Sequence, residues 1–420
     1  MTVLDDFGAA PFRAGNIESV GFPLTEDQRS WVRRAAKIGQ DVLAPAASTT
    51  DTGVYPRDAL RELWSAGVLN MTVPKESGGG GADLLAQVVV TETLARHCGS
   101  TALCFHMHES AMQLLSRVDP DDAALAATVA KIVENFEICT YATSEAGSGS
   151  HWWHMDQAAQ RVEGGFHLSA TKSWATSAGQ ADHYVVPLRA NAHAGHNELT
   201  LFLVPGKAKG VEPLGSWDGS GMRGNSSTPV KFDVVVPGSA RLGASGYGFP
   251  LLFAYGLPAF QLGVAAVYLG VAQAAYDATA AQMGKRVHTD LGRPKSHSEV
   301  VQREVAEMRL RLDSVRALLY VVADSIARRE RTGTDLVDLL GETDLVLSLA
   351  ETKIAATEAA VAITDTAMRL CGGSAYKRGG VVERCFRDAR AGAVMGPDND
   401  SLKDLIGKRT LGIPFPWAVS

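Results

Sequence analysis

The sequence predicts an α+β chain of three successive blocks, helical, then β, then helical, and three observations carry that expectation. Residues 25–134 read as helix, opening with TEDQRSWVRRAAKIGQDVLAPAA and resuming in DLLAQVVVTETLARHC after the glycine run at 78–81. Residues 137–242 break into short runs separated by Gly, Asn and Pro. Among these runs are GFHLSATKSWAT, HYVVPLR, ELTLFLVP and PVKFDVVVP, several of which alternate apolar and polar residues as half-buried strands do. From about residue 246 the helical period returns. Val301, Val305, Met308, Leu312, Val315, Leu319, Val322 and Ile326 step alternately by four and three, the stripe of one long core-facing helix. Domains are therefore expected at 1–135, 136–245 and 246–420.

Within the first block, Thr25 and Gln28 form a Thr-x-x-Gln capping pattern that starts a helix. In the last block, residues 343–370 are rich in Ala, which suits close packing of neighbouring helices in a bundle. A chain of 420 residues is long enough for two or three domains with sizeable cores. Lys and Arg number 40 against 46 Asp and Glu, a net charge of −6 that favours no nucleic-acid partner. The most apolar stretch, 259–275, is interrupted by Gln261, Gly263, Gly270 and Gln273, so no membrane helix is expected. The start, MTVLDDFGAAPFRAGN, has two early acids and no basic-then-apolar region, and reads as unprocessed. Five cysteines without CxxC spacing (Cys98, Cys104, Cys139, Cys371, Cys385) point to reduced thiols and a cytoplasmic protein.

Several motif readings fail on their context. Gly219, Gly221 and Gly224 spell G-x-G-x-x-G, but a strand follows where a dinucleotide site needs a helix, so a glycine-rich turn is expected. His106 and His108 stand two apart on a helix and point to different sides, and His151 and His154 have no third ligand at metal spacing. GSGSH at 147–151 is only a loose approach to a hydrolase nucleophile elbow.

Three segments together point elsewhere. They are YATSEAGSGS (141–150) followed by TKSWATSAGQAD (171–182), GMRGNSSTPVKFDVVVP (221–237), and CGGSAYKRGGVVERCFRDARAG (371–392). With YPRDALRELWSAGVLNMTVPKESGGGGAD (55–83) and LGRPKSHSEVVQREVAEM (291–308), their order and spacing resemble the acyl-CoA dehydrogenase superfamily. The resemblance implies an N-terminal helical domain, a middle β-barrel and a C-terminal four-helix bundle, FAD as cofactor, and a homodimer or homotetramer. FMN is the alternative if a reductase supplies the flavin. By position it places Tyr141, Thr143 and Ser144 at the flavin ring, Trp174 over one face of it, Thr176 near N5 and Ser150 near the pyrophosphate. Hydroxyl and backbone donors at a sheet edge suit that task, because hydrogen bonds around the ring tune its electronics. The plain alternative for Trp174 is a half-buried strand aromatic. The resemblance also implies that a neighbouring subunit completes the flavin site through Gly372 and Gly373. The arginine expected before a Phe-Gly pair is replaced by His288 before Leu291 and Gly292, which leaves Arg286 or Arg293 as the basic donor. Asn399 joins the expected cofactor set, while Arg384, Arg387 and Asp388 read as a structural charge network.

The resemblance fails at the base. Dehydrogenation of an acyl thioester needs a carboxylate to remove the α-proton while hydride leaves the β-carbon. The usual glutamate position holds Met395, with Pro397 in place of a threonine, and the alternative position holds Phe260. An arginine and an aspartate associated with the CoA-linked substrate become Gln261 and Pro258. Asp398 and Asp400 remain as replacement bases, against the plain reading that Asp400 caps the last helix. His108 and His151 are weaker acid–base candidates, and for His108 a core histidine is the competing reading. Two functions stay open at this point. One is oxidation of an acyl thioester or related carboxyl derivative with a non-standard base, passing electrons to an electron-transfer flavoprotein. The other is a flavin-dependent monooxygenase fed by a flavin reductase. A flavin-binding protein without turnover is a third.

Overall fold

The computed structural model describes residues 22–119, 121–151, 153–290, 292–333 and 343–414. The N-terminal segment discussed above and Leu291 lie outside them, as does the side chain of His288. The first helix, α1 (Glu26–Ile38), starts at the expected capping box: Thr25 Oγ1 accepts from the Gln28 N–H, and Gln28 Oε1 accepts from the Thr25 N–H. It runs through a π turn (Gly39–Leu43) into α2 (Ala44–Thr50), and α3 (Arg57–Ser65), α4 (Leu84–Ala95), α5 (Gly99–Leu115) and α6 (Ala123–Glu134) complete the helical block. Every residue of α5 is buried, so this helix serves as the block's core rather than its surface.

The middle block contains β1 (Cys139–Tyr141), β2 (Gln160–Val162), β3 (Gly165–Ala175), β4 (His183–Arg189), β5 (Leu199–Pro205), β6 (Val211–Pro213), β7 (Thr228–Pro237) and β8 (Arg241–Leu242). They do not close into the expected barrel. Two four-stranded sheets form, in the orders β1-β4-β5-β8 and β2-β3-β7-β6, and no ladder joins them among the described residues. The sheets pack through aromatic pairs instead, Phe166 on Phe202 with centroids 5.1 Å apart and Tyr184 on Phe232 at 5.6 Å. The alternation seen in the sequence is real for β3 and β7, which bury one face each, whereas β4 and β5 are buried on both. A register shift between Lys172 and Ala175 breaks the β3–β7 ladder and turns Trp174 outward.

The last block opens with a short helix α7 (Gly248–Leu251) and a π turn (Leu252–Gly256), then α8 (Leu257–Lys285). A two-stranded ribbon follows, β9 (Val287–His288) with β10 (Arg293–Pro294), then α9 (Glu299–Arg331), α10 (Thr343–Cys371), α11 (Gly373–Tyr376), α12 (Val381–Val394) and α13 (Asn399–Thr410). Helices α8, α9, α10 and α12 pack as the expected bundle, with α8 at its centre and also against α4 and α5. The stretch 248–285 is long and apolar enough to cross a membrane by composition, contrary to the sequence reading. Here most of it is buried inside the protein, since an all-round apolar helix finds its cover in neighbouring helices. The stripe along α9 is core-facing, with Val301, Met308, Leu312, Leu319, Val322 and Ile326 buried.

One buried charge network ties the helical blocks together. Arg316 on α9 reaches Glu92 on α4 at 2.8 Å, Gln273 on α8 at 2.8 Å and Asp313 at 3.0 Å, and the Tyr320 hydroxyl donates to the second Glu92 oxygen. Removing one member strands a buried charge. The Arg316→Met variant is expected to lose about 3–5 kcal/mol of stability, read as a lowered midpoint in urea unfolding, whereas a change under about 1 kcal/mol would show the network contributes little.

Candidate active site

A cavity of about 500 Å³ lies where the β1 edge, the 141–150 segment, the β3 bulge and the ends of α8 and α12 meet. That volume falls in the range of small-molecule and cofactor sites. Its wall includes Tyr141, Thr143, Ser144, Trp174 and Thr176, which the sequence placed around the flavin ring, and Ser150, which it placed near the pyrophosphate. Trp174 is 62% exposed, edge-on to Trp217 at 6.2 Å, and is not the half-buried strand aromatic of the plain reading. Thr176 Oγ1 lies 3.1 Å from Ser227 Oγ, which fixes one hydroxyl against another at the rim. The Tyr141 hydroxyl donates to the Ser110 carbonyl at 2.8 Å, and burial raises its pKa well above the ordinary phenol value, so it stays protonated.

The polar wall is held from beneath by a buried ion pair. Lys172 occupies an inward position of β3, and its Nζ donates to Glu145 Oε1 at 2.8 Å, the Pro187 carbonyl at 2.7 Å and the Thr143 carbonyl at 3.2 Å. Burial lowers the Lys172 pKa, and the Glu145 charge opposes that shift. The other Glu145 oxygen accepts from the N–H groups of Asp156 and Gln157 at 2.7 and 3.1 Å. The Ser173 N–H in the bulge donates to the Ser144 carbonyl at 2.7 Å, which joins the two cavity-lining segments directly.

The opposite wall is apolar: Met107, Leu252, Leu257, Phe260, Val394 and Met395. Both positions at which the resemblance places a glutamate therefore face the cavity, and they present a thioether and a phenyl ring. Among the described residues, no Asp, Glu, His, Lys or Arg lines it. Neither replacement base lines the cavity. Asp398, not Asp400, is the cap of α13, and its Oδ1 accepts from the N–H groups of Asp400 and Ser401, both at 2.9 Å. Burial would raise the Asp398 pKa, but hydrogen bonds from Ser150, Ser401 and the helix N–H groups outweigh it and hold the carboxyl below its ordinary value. Asp400 is exposed and is not part of the wall. His108 is a core histidine that bonds Asn70 Oδ1 at 2.8 Å and accepts the Cys139 N–H at 3.0 Å. His151 is exposed outside the cavity.

Other expected cofactor residues fall elsewhere. Asn399 does not reach the cavity: its Oδ1 accepts from Lys353 Nζ at 2.9 Å, and its amide donates to Thr357 Oγ1 at 3.1 Å. Lys353 also donates to the carbonyls of Met395 and Pro397 at 3.1 and 3.0 Å, so it fastens the cavity wall from behind; burial lowers its pKa to about 8. Arg286 and Gly373 line a second, open depression with Gln282, Lys285 and Ser374, and Gly372 adjoins the Arg286 guanidinium. This depression shares no lining residue with the first cavity. Arg387 pairs in a fork with Asp51 at 2.6 and 2.9 Å and with Glu383, and Asp388 accepts the Met222 N–H at 2.6 Å, in line with a structural role. That last bond anchors the 219–224 turn, which leads into β7.

Sequence reasoning missed Asn225 and Ser227, although both lay in a quoted segment. Asn225 lines the cavity, and its Oδ1 is buried with no hydrogen-bond partner among the described residues. An orphaned acceptor beside a row of hydroxyls is what a ring carrying its own N–H and C=O groups would satisfy, so the residues present fit a flavin.

The chain belongs to the acyl-CoA dehydrogenase superfamily: the N-terminal, middle and C-terminal domains of that family match residues 25–118, 140–235 and 262–395. Its members are FAD-dependent oxidoreductases, and that is the enzyme class of this protein. It is 29% identical to cyclohexane-1-carbonyl-CoA dehydrogenase of Geobacter metallireducens over 93% of this chain and 99% of that one. It is 28% identical to 3-sulfinopropanoyl-CoA desulfinase of Paraburkholderia xenovorans over 93% and 97%. Among solved structures, butyryl-CoA dehydrogenase of Megasphaera elsdenii superimposes with a TM-score of 0.84 at 24% identity, covering 93% of this chain and 99% of that one.

Breaking the buried pair under the 141–150 segment separates its role from general packing. Lys172→Met leaves Glu145 uncompensated, with an expected loss of about 3–5 kcal/mol and weaker FAD retention on gel filtration. A Glu145→Gln, Lys172→Met double variant should recover part of both, and no recovery would show that the pair is not the anchor.

Proposed function

We propose that this protein is a flavin-dependent monooxygenase on the acyl-CoA dehydrogenase scaffold, acting on an apolar, electron-rich N, S or aromatic carbon centre. The observation that carries this reading is the pairing of Met395 and Phe260 in the cavity wall. A general base has to lie within hydrogen-bonding reach of the proton it takes, and neither a thioether nor a phenyl ring can accept one. The nearby carboxylates have other duties: Glu145 is neutralised by Lys172, Asp388 holds the Met222 N–H, and Asp398 caps α13. Oxygen transfer needs no α-proton base. Its balance is substrate, O2, NADH and a proton giving oxygenated substrate, water and NAD⁺, with a reductase delivering the electrons.

Bound FAD would supply the two-electron chemistry and the reaction with O2. This chain's part is to hold and orient the ring through Thr143, Ser144, Thr176 and Asn225, to cover it with Trp174, and to seat the substrate against Leu252, Leu257, Val394 and Met395. An apolar wall keeps water from the reacting centre. Arg286 with the Gly372–Gly373 turn offers a cation and open backbone to the diphosphate end of a cofactor in a neighbouring subunit, which favours FAD over FMN and at least a dimer.

Two anaerobic and aerobic arms test the reading. Acyl-CoAs of varied chain length are expected to leave the flavin absorbance unchanged without oxygen. With reductase, NADH and ¹⁸O₂, an apolar amine, sulfide or aromatic panel should yield labelled product. Bleaching by any acyl-CoA would instead establish the dehydrogenase reading and overturn this one.

A further inference from the structure

Outside the cavity, two imidazoles and a carboxylate converge from separate parts of the chain. His154 and Asp156 follow the 141–150 segment, and His196 comes from the loop between β4 and β5. One ligand atom from each lies within 4.8 Å of the others. His154 Nε2 is 3.1 Å and His196 Nδ1 3.9 Å from the same Asp156 oxygen, and the two rings stack with centroids 3.8 Å apart. A tetrahedral zinc with bonds of about 2.0–2.1 Å holds its ligand atoms ~3.3 Å apart, so closing this set onto an ion takes a turn of the His196 ring that frees Nδ1 from the Met155 carbonyl 2.9 Å away.

The backbone beneath the trio is fixed. The Met155 N–H donates to the His196 carbonyl at 3.1 Å. Glu145 accepts the Asp156 N–H, and the Arg189 guanidinium grips the Asp156 carbonyl at 2.9 Å. Gly147 leaves the space for the carboxylate, because a Cβ there would sit 2.0 Å from Asp156 Oδ2. The side chains are partly exposed, 32% for His154, 40% for Asp156 and 52% for His196, so an ion can enter and water can fill the fourth position. The sequence alone showed no third ligand, because His196 lies 42 positions beyond His154 and only the fold brings them together.

We propose that His154, Asp156 and His196 form a site for a divalent transition metal of the zinc type. Two nitrogens and one oxygen are a borderline donor set that selects zinc, copper or nickel over magnesium, which prefers an all-oxygen shell. The ion would bridge the 141–156 segment to the β4–β5 loop.

The test uses the full FAD-loaded protein, freed of any affinity tag and stripped with chelator, titrated calorimetrically with zinc chloride and separately with magnesium chloride. Saturable uptake of about one zinc per protomer is expected, with no magnesium uptake. His196→Ala and Asp156→Asn should each weaken zinc binding by about tenfold or more, while His193→Ala on the same loop should not. Retained flavin in each variant shows that it has folded. X-ray absorption of the zinc-loaded protein should show only nitrogen and oxygen neighbours at about 2.0–2.1 Å. Absence of saturable zinc uptake, or equal binding by wild type, His196→Ala and Asp156→Asn, overturns the proposal.

Discussion

The fully buried pair of Lys172 and Glu145 is the constraint on which the rest of the site depends. An ammonium and a carboxylate inside a β domain are costly to desolvate, and the pair persists because every neighbouring group is used. The Lys172 ammonium meets Glu145 and the carbonyls of Thr143 and Pro187, while Glu145 meets two N–H groups from the chain beyond. The segment carrying Tyr141, Thr143, Ser144 and Ser150 is thereby held at both ends, and the bulge carrying Trp174 is bonded to it. A cofactor wall built from a loop is otherwise prone to drift, and a drift of about 1 Å is enough to spoil catalytic geometry.

Against that polar wall stands one with no ionisable side chain among the described residues. Met395 is held in the wall because Lys353 fastens its carbonyl and that of Pro397 to α10. Phe260 closes the second position, packed on the His106 ring at 5.9 Å; burial lowers the His106 pKa to about 3, so that imidazole is neutral and adds no charge behind the phenyl. On the proposed reading, the scaffold retains the half of the site that would face the flavin and replaces the half that would remove protons. A relative named for a desulfination has a similar overall sequence likeness, so the scaffold accommodates chemistry other than dehydrogenation.

Much of this was legible in the sequence because it is periodic or local. The α9 stripe, the capping box at Thr25 and the alternation in β3 and β7 are set by neighbours within a few residues, and all appear as expected. The barrel was not, since closure depends on strand ends that alternation does not describe, and the two sheets pack by aromatic contacts instead. The cap on α13 was misplaced by two residues, from Asp398 to Asp400, because either aspartate could open the same helix. Asn399 and Lys353 meet across 46 positions, a distance no local pattern encodes. Lys172, by contrast, carried an unread signal: a lysine at an inward position of an alternating strand demands a buried counter-charge, and Glu145 stood in the neighbouring motif.

The central claim is that a flavin ring sits in this cavity with no side chain able to take a proton from its substrate. A crystal structure with FAD and an unreactive apolar ligand bound tests it most directly. The account predicts the ring against Thr143, Ser144, Thr176 and Trp174, and no carboxylate, imidazole or amine within about 3.2 Å of the ligand atom facing N5. A carboxylate found within that distance, whether Asp398, Asp400 or one donated by a neighbouring subunit, would contradict it.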